Sequence, residues 1–229
     1  MKILVCGPFQ SGKSTFISAL DKNSLNIKTL DKNNKSVTIA MDVGTYDCDG
    51  LKITLFGTPG LLRFNSIRRI VSEGADGVIF MFDGPNVELD DSAIQILNEI
   101  RSCLPRDIPI IYAVNKIDDP KCRDVEVVRK QNYIPKTAKM VGISALNGTN
   151  IVECLNDLVS MIRENLTPLV KTLEQYQGNA LGLKVALGKS AEEIMELLNA
   201  MEIRGIISIN RGNLTFSMND ASKFFTTSN

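Results

Sequence analysis

The stretch GPFQSGKS, Gly7 to Ser14, follows a short apolar run and matches the pattern G-x-x-x-x-G-K-[ST]. In such a loop, backbone N–H groups surround the α- and β-phosphates of a nucleotide, and the helix that follows adds partial positive charge. The lysine reaches the β- and γ-phosphates, and the serine hydroxyl binds Mg²⁺. We therefore predict a phosphate-binding loop with these contact residues: Gly7, Gln10, Ser11, Gly12, Lys13, Ser14 and Thr15.

The stretch NKID, Asn115 to Asp118, directly follows the apolar run IPIIYAV. A carboxylate at Asp118 can accept hydrogen bonds from both N1–H and N2–H₂ of guanine. Adenine offers no such donor pair, so the unpaired carboxylate would disfavour ATP. Asn115 either donates to guanine or braces neighbouring loops, and the stem of Lys116 can cover one face of the base.

Two weaker motifs also follow apolar runs. In SAL, Ser144 to Leu146, the backbone N–H of Ala145 is a candidate donor to guanine O6. In GTPG, Gly57 to Gly60, the N–H of Gly60 is a candidate donor to a γ-phosphate. Each motif is weak alone, but all of them occur in one order along the chain.

The motifs alternate with predicted strands and helices. Strands are predicted for the apolar runs at 2–6, 52–56, 77–82, 108–114 and 139–143, and for the alternating stretch 37–48. Helical periodicity covers about 89–103 and about 150–165. This alternation predicts an α/β fold with a mostly parallel six-stranded sheet and helices on both faces. The motifs would then meet at one edge of the sheet.

Together the motifs resemble those of a Ras-like small GTPase, in particular a prokaryotic or archaeal group whose third motif reads F-G-T-P-G. The segment TIAMDVG, Thr38 to Gly44, resembles the same group. The resemblance spans about residues 1–166. It implies a switch that binds GTP or GDP with Mg²⁺ and acts with a regulator and an effector protein. It further implies Ser14 and Thr38 as metal ligands, and Lys13, Thr38 and Gly60 as catalytic residues.

Three residues depart from the Ras-like pattern. Gly57 stands where an aspartate normally holds Mg²⁺ through water, so we expect weaker dependence on Mg²⁺ without loss of binding. Leu61 stands where a glutamine orients the attacking water, and leucine has no hydrogen-bonding group. Phe9 stands in the phosphate loop where Ras has glycine. We therefore expect a GTPase with weak intrinsic activity.

The chain has no arginine before Arg63, so the first switch region cannot supply an arginine finger. Arg63, Arg68 and Arg69 lie close enough in sequence to the third motif to reach the site. The alternative for each is a place on a solvated face or against a partner.

Residues 167–229 are too many for a simple tail, and Thr167-Pro168 indicates a domain boundary. The stretch LVKTLEQY, 169–176, is helix-like, and NALGLKVALGKS indicates a helix and a turn. A third helix at 190–205, capped by Ser190 and stopped by Gly205, precedes a predicted hairpin at 206–218. This order resembles a winged helix. Six acidic residues balance six basic ones from Asn165 onward, so we expect a protein-interaction or stabilising module and no binding to nucleic acid.

Composition narrows the class of protein further. Lys+Arg and Asp+Glu each number 26, histidine is absent, and the five cysteines form no C-x-x-C pair. We expect reduced thiols, a cytoplasmic location, and neither a transmembrane segment nor a lipid anchor. Two alternatives to a cycling switch stay open: a GTP-bound scaffold that does not cycle, and a transcription regulator acting through the C-terminal domain.

Overall fold

The computed structural model describes residues 1–25, 41–213 and 215–226, together with the backbone of 28–30 and 36–38. The chain divides into two compact units. The first consists of Lys2–Tyr46 and Lys52–Val159. The second consists of Met1, Asp47–Leu51 and Ser160–Asn229.

A six-stranded sheet forms the centre of the nucleotide-binding fold, in the order β4-β5-β1-β6-β7-β8. Strand β1 pairs in parallel with β5 and β6, and β7 pairs in parallel with β6 and β8. Strands β2 and β3 form a separate antiparallel pair. The strand bounds are β1 Lys2–Cys6, β2 Lys28–Leu30, β3 Ser36–Thr38, β4 Asp42–Cys48, β5 Leu51–Gly57, β6 Gly77–Asp83, β7 Ile110–Asn115 and β8 Met140–Ile143.

Helices follow the strands along the chain as the alternation predicts. They are α1 Lys13–Leu20, α2 Asn65–Ser72, α3 Asp90–Cys103, α4 Val125–Gln131 and α5 Ile151–Gln175. Every residue of β6 is buried, which explains why this strand has a continuous apolar run without alternation. The core of the first unit packs Phe80, Phe82 and Tyr112 of the sheet with Ile96 and Ile100 of α3.

The second unit has its own apolar core and consists of helices followed by a hairpin. The elements are α6 Ala180–Leu187, α7 Ala191–Ile203, β9 Ile207–Asn210, β10 Thr215–Met218 and α8 Lys223–Thr226. Strands β9 and β10 pair antiparallel. Ser190 accepts a hydrogen bond from the backbone N–H of Glu193, and the Glu193 carboxylate accepts one from the backbone N–H of Ser190. The predicted helix start and hairpin are therefore both present.

Helix α5 is longer than the sequence pattern predicts. It continues through Pro168 to Gln175, whereas the pattern indicates an end near residue 165. The Thr167 hydroxyl donates to the Arg163 carbonyl at 2.7 Å. Val170 and Leu173 are fully buried in the core of the second unit. This packing stabilises the last turns against the usual cost of an internal proline.

Among the described helices, none combines the length and the hydrophobicity that a membrane-spanning segment requires.

A candidate nucleotide-binding site

The phosphate-binding loop lies between the end of β1 and the start of α1. Gly7 and Gly12 have φ angles of 145° and 96°, and Gly12 caps α1. A Cβ on Gly7 would lie 2.3 Å from the Met81 carbonyl oxygen, and one on Gly12 would lie 2.1 Å from Nδ2 of Asn115. Both positions require glycine because a side chain would be strained and would collide with fixed neighbours.

Lys13 extends back across its own loop. Its Nζ donates to the carbonyl oxygens of Gly7 at 3.0 Å and Pro8 at 2.7 Å. The residue is only 8% exposed, and burial lowers the pKa of its ammonium to about 8. A buried cation among N–H donors and carbonyl oxygens is suited to an anionic ligand.

A cavity of about 270 Å³ opens between this loop and the third-motif loop, residues 57–64. A Cβ on Gly60 would lie 2.5 Å from the backbone nitrogen of Phe9, so the two loops are in backbone contact. The cavity contains predicted phosphate and metal residues together with others that the motifs do not single out. It is lined by Phe9, Gln10, Gly12, Lys13, Ser14, Thr15, Asp42, Thr58, Pro59 and Gly60.

Asn115 connects three of the predicted motifs. Its Nδ2 donates to the Ser11 carbonyl at 2.8 Å, and its Oδ1 accepts from the backbone N–H of Ala145 at 2.9 Å. Of the two roles that the sequence allows for Asn115, the structure shows the bracing one. The N–H of Ala145, our candidate donor to guanine O6, donates to this side chain.

Asp118 and Lys116 are each held by a side chain from another segment of the chain. The Ser144 hydroxyl donates to the exposed Asp118 carboxylate, and Lys116 forms an ion pair with the buried Asp83. Leu146 is 77% exposed. The four motifs thus converge at the carboxyl ends of β1, β5, β7 and β8, where ligands bind in open α/β sheets.

Asp42 is a site residue that the motif analysis misses. It is 2% exposed on β4, and its Oδ2 accepts from the Ser14 hydroxyl at 2.6 Å. The available signal was an acidic residue inside the otherwise mostly apolar TIAMDVG. Thr38, the predicted metal ligand in the same segment, ends β3, and its side chain lies outside the described residues.

Arg68 does not reach the cavity as a free cation. It is 1% exposed, and its guanidinium donates to the carbonyl oxygens of Pro59, Leu61 and Leu62 and to Glu99. Arg63 and Arg69, the two neighbouring candidates, are exposed.

The site's donors fit a nucleotide phosphate and a magnesium ion. No group of three or more histidine, cysteine or acidic residues in the described part of the chain could hold a metal by itself. Mg²⁺ needs no such group, because it keeps several waters and combines one or two protein oxygens with substrate phosphates. The Ser14 hydroxyl supported by Asp42 meets that requirement.

Comparisons with known proteins agree with this geometry. The chain is 25% identical to GTP-binding protein ypt4 of Schizosaccharomyces pombe, over 71% of each chain. It is 27% identical to translation initiation factor IF-2 of Thermosipho africanus, over 71% of this chain and 23% of that protein. It is also 27% identical to a Ras and EF-hand domain-containing protein of Xenopus tropicalis, over 86% of this chain. The chain spans only 27% of the length of that relative.

A solved structure shares the fold. It is the Arl6 BBS3 small GTPase from Trypanosoma brucei with the bound nucleotide analogue GppNp. The TM-score is 0.60 at 16% identity, and the match covers 72% of this chain and 98% of that one. The family model of the elongation factor Tu GTP binding domain matches residues 1–164. The chain therefore belongs to this family of GTP-binding domains.

Proposed function

We propose that this chain is a GTP-dependent molecular switch of the small GTPase type that hydrolyses GTP slowly on its own. The observation that carries the proposal is the Asn115 brace, which joins the phosphate-binding loop to the SAL loop. A brace of this kind fixes the distance between a phosphate site and a base site. Such a fixed distance is what recognition of a whole nucleotide requires.

In this proposal the two ends of the site have separate tasks. The loop from Gly7 to Thr15 binds the phosphates, with Lys13 as the cation. Asp118 selects guanine, with Asn115, Lys116, Ser144, Ala145 and Leu146 forming the base pocket. Because the Ala145 N–H donates to Asn115, guanine O6 must share this donor or displace the asparagine oxygen from it.

Switching would depend on whether a γ-phosphate is present. Gly60 lines the same cavity as the phosphate-binding loop and lies against Phe9 of that loop, which supports its N–H as the donor to a γ-phosphate. GTP would order Gly60 and Thr38 around that phosphate, and hydrolysis would release both loops. An effector or regulator protein would read the difference.

Slow hydrolysis is expected from two side chains. Leu61 offers no group to orient water, and Arg68 is bound to backbone carbonyls and Glu99. An arginine finger contributes roughly 10³–10⁵ in rate, so a site without one depends on a partner for rapid turnover.

Two measurements test this function. The first is to denature freshly purified protein and identify the released nucleotide by chromatography. We expect GTP or GDP, and an adenine nucleotide would overturn the role of Asp118. The second is a single-turnover GTP hydrolysis assay with isolated protein. A rate above about 1 min⁻¹ would contradict the weak-turnover part, because unassisted Ras-type hydrolysis is far slower.

For the chain as a whole we propose a G domain over 1–166 and a winged-helix-like domain over 167–229. The end of α5, followed by α6, α7 and the β9–β10 hairpin, supports the second assignment. The first turn of α7 carries Glu192 and Glu193, which supports a protein partner over nucleic acid. The F-G-T-P-G sequence supports membership of the prokaryotic or archaeal group, and we propose a cytoplasmic location.

A further inference from the structure

The third motif of this chain lacks the carboxylate that supports Mg²⁺ in Ras-like proteins. In Ras-like proteins this position is an aspartate, and the chain has Gly57 at the end of β5. A Cβ placed on Gly57 would lie 2.9 Å from Cδ1 of Ile17 and 3.0 Å from both the Cβ and the Oδ2 of Asp42. A side chain at position 57 would therefore enter the space that the Asp42 carboxylate already fills.

Asp42 belongs to β4, the strand beside β5 in the sheet. Its carboxylate is buried and lines the phosphate cavity. Its Oδ2 accepts a hydrogen bond from the Ser14 hydroxyl at 2.6 Å. It is the only acidic residue among the described residues that line this cavity. Ser14 is in turn the residue whose hydroxyl the phosphate-loop motif directs to Mg²⁺.

We propose that Asp42 is the positioning residue for Mg²⁺ and replaces the carboxylate that Gly57 lacks. This inference rests on the proposed function. Asp42 acts through Ser14, whose oxygen it orients toward the metal, and it adds a negative charge close to the cation. A carboxylate that orients a ligand group from behind controls metal affinity nearly as strongly as the ligand itself.

Gly57 and Asp42 then form a reciprocal pair. Two carboxylates in this volume would collide and repel each other, and one of them would be driven to its neutral form. An aspartate at position 42 therefore requires glycine at position 57. The negative charge has moved from β5 to the neighbouring strand, and it still faces the same cavity.

The test measures how Mg²⁺ slows the release of a fluorescent GDP analogue. The first variant is Asp42→Asn, which keeps an acceptor for the Ser14 hydroxyl and removes the charge. We expect the Mg²⁺ concentration for half-maximal slowing to rise about 10–100-fold. Release in EDTA should stay within about twofold of the parent protein, because no phosphate contact changes.

Asp47→Asn is the matched control, since Asp47 lies exposed on the same strand and its Oδ1 accepts from the Gly50 N–H. We expect it to leave the Mg²⁺ requirement unchanged. The second test variant is the exchange Asp42→Gly with Gly57→Asp, which returns the carboxylate to β5. Recovery of Mg²⁺ affinity to within about fivefold of the parent protein supports the relocation, since a charge on either strand serves the same cation.

Two results would overturn the inference. One is a Mg²⁺ requirement in Asp42→Asn that matches Asp47→Asn. The other is an exchange variant that binds GDP in EDTA yet needs as much Mg²⁺ as Asp42→Asn. A parent protein that binds no GDP at all would instead defeat the proposed function, so the two failures are distinguishable.

Discussion

Replacing Arg68 with methionine should destabilise the first unit and loosen the third-motif loop. Arg68 is a buried cation on α2 whose guanidinium holds three backbone carbonyls, those of Pro59, Leu61 and Leu62, together with the Glu99 carboxylate. Methionine keeps most of the aliphatic volume and adapts to irregular space. The change therefore isolates the hydrogen bonds and the charge.

The magnitude follows from the burial of the two partners. Breaking a buried ion pair by removing one member costs about 3–5 kcal/mol. Glu99 is 34% exposed and can regain water, so we expect the lower end, about 3 kcal/mol. In a chain of this size about 1 kcal/mol shifts the melting temperature by roughly 2–4 °C. The expected loss is therefore about 6–12 °C.

Differential scanning calorimetry of nucleotide-free protein is the assay, because the chain has no tryptophan to report unfolding. Arg69→Met is the matched control, since Arg69 is the next residue on α2 and is exposed. An exposed substitution of this kind should stay within about 0.5 kcal/mol. Equal melting temperatures for the two variants would refute the role of Arg68 in holding the third-motif loop. Arg68 would then be a candidate arginine finger.

Three further predictions concern the site and the thiols. Asp118→Ala should weaken GTP binding about 10–100-fold, since hydrogen bonds to a charged group contribute about 1.5–3 kcal/mol. ATP binding should stay the same or improve, because the variant no longer leaves a carboxylate unpaired against adenine; equal losses for both nucleotides in competition assays would contradict this. Leu61→Gln should raise the single-turnover GTP hydrolysis rate, whereas Leu61→Ala should not, because only glutamine can orient water. Burial raises the pKa of the Cys6 thiol to about 11 and that of Cys154 to about 12. Both should resist iodoacetamide at pH 8 in the folded protein, while the partly buried Cys103 reacts; mass spectrometry of the alkylated peptides checks this.

The sequence predicted the sheet and its order of elements well because the strands are buried on both faces. The run GVIFMF corresponds to β6, Gly77–Asp83, and KILVC corresponds to β1, Lys2–Cys6. Such a continuous apolar run indicates a buried strand from a few neighbouring residues alone. The same locality explains why the phosphate-binding loop was predictable, since one strand, one loop and one helix contain all of it.

Interactions between distant segments were not predictable in this way. Asp42 and Gly57 are brought together by strand pairing, and neither position alone shows that a carboxylate has changed strand. From its sequence context Arg68 resembles an exposed basic residue. In the structure it is fully buried, because carbonyls and Glu99 surround it. The length of α5 was missed because Pro168 is a strong local stop signal that packing overrides.

The two departures in the third motif therefore differ in kind. For Gly57 the chain itself has a compensating group, the Asp42 carboxylate, which contacts the same serine hydroxyl and faces the same cavity. For Leu61 the described residues show no such group, because Arg68 is bound to carbonyls and neither Arg63 nor Arg69 lines the cavity. With Asp42 in place of the third-motif aspartate, we expect a stronger dependence on Mg²⁺ than Gly57 alone predicts. With no group to orient the attacking water, we expect bound GTP to be retained. Rapid GTP hydrolysis would then require a group that another molecule inserts into the site.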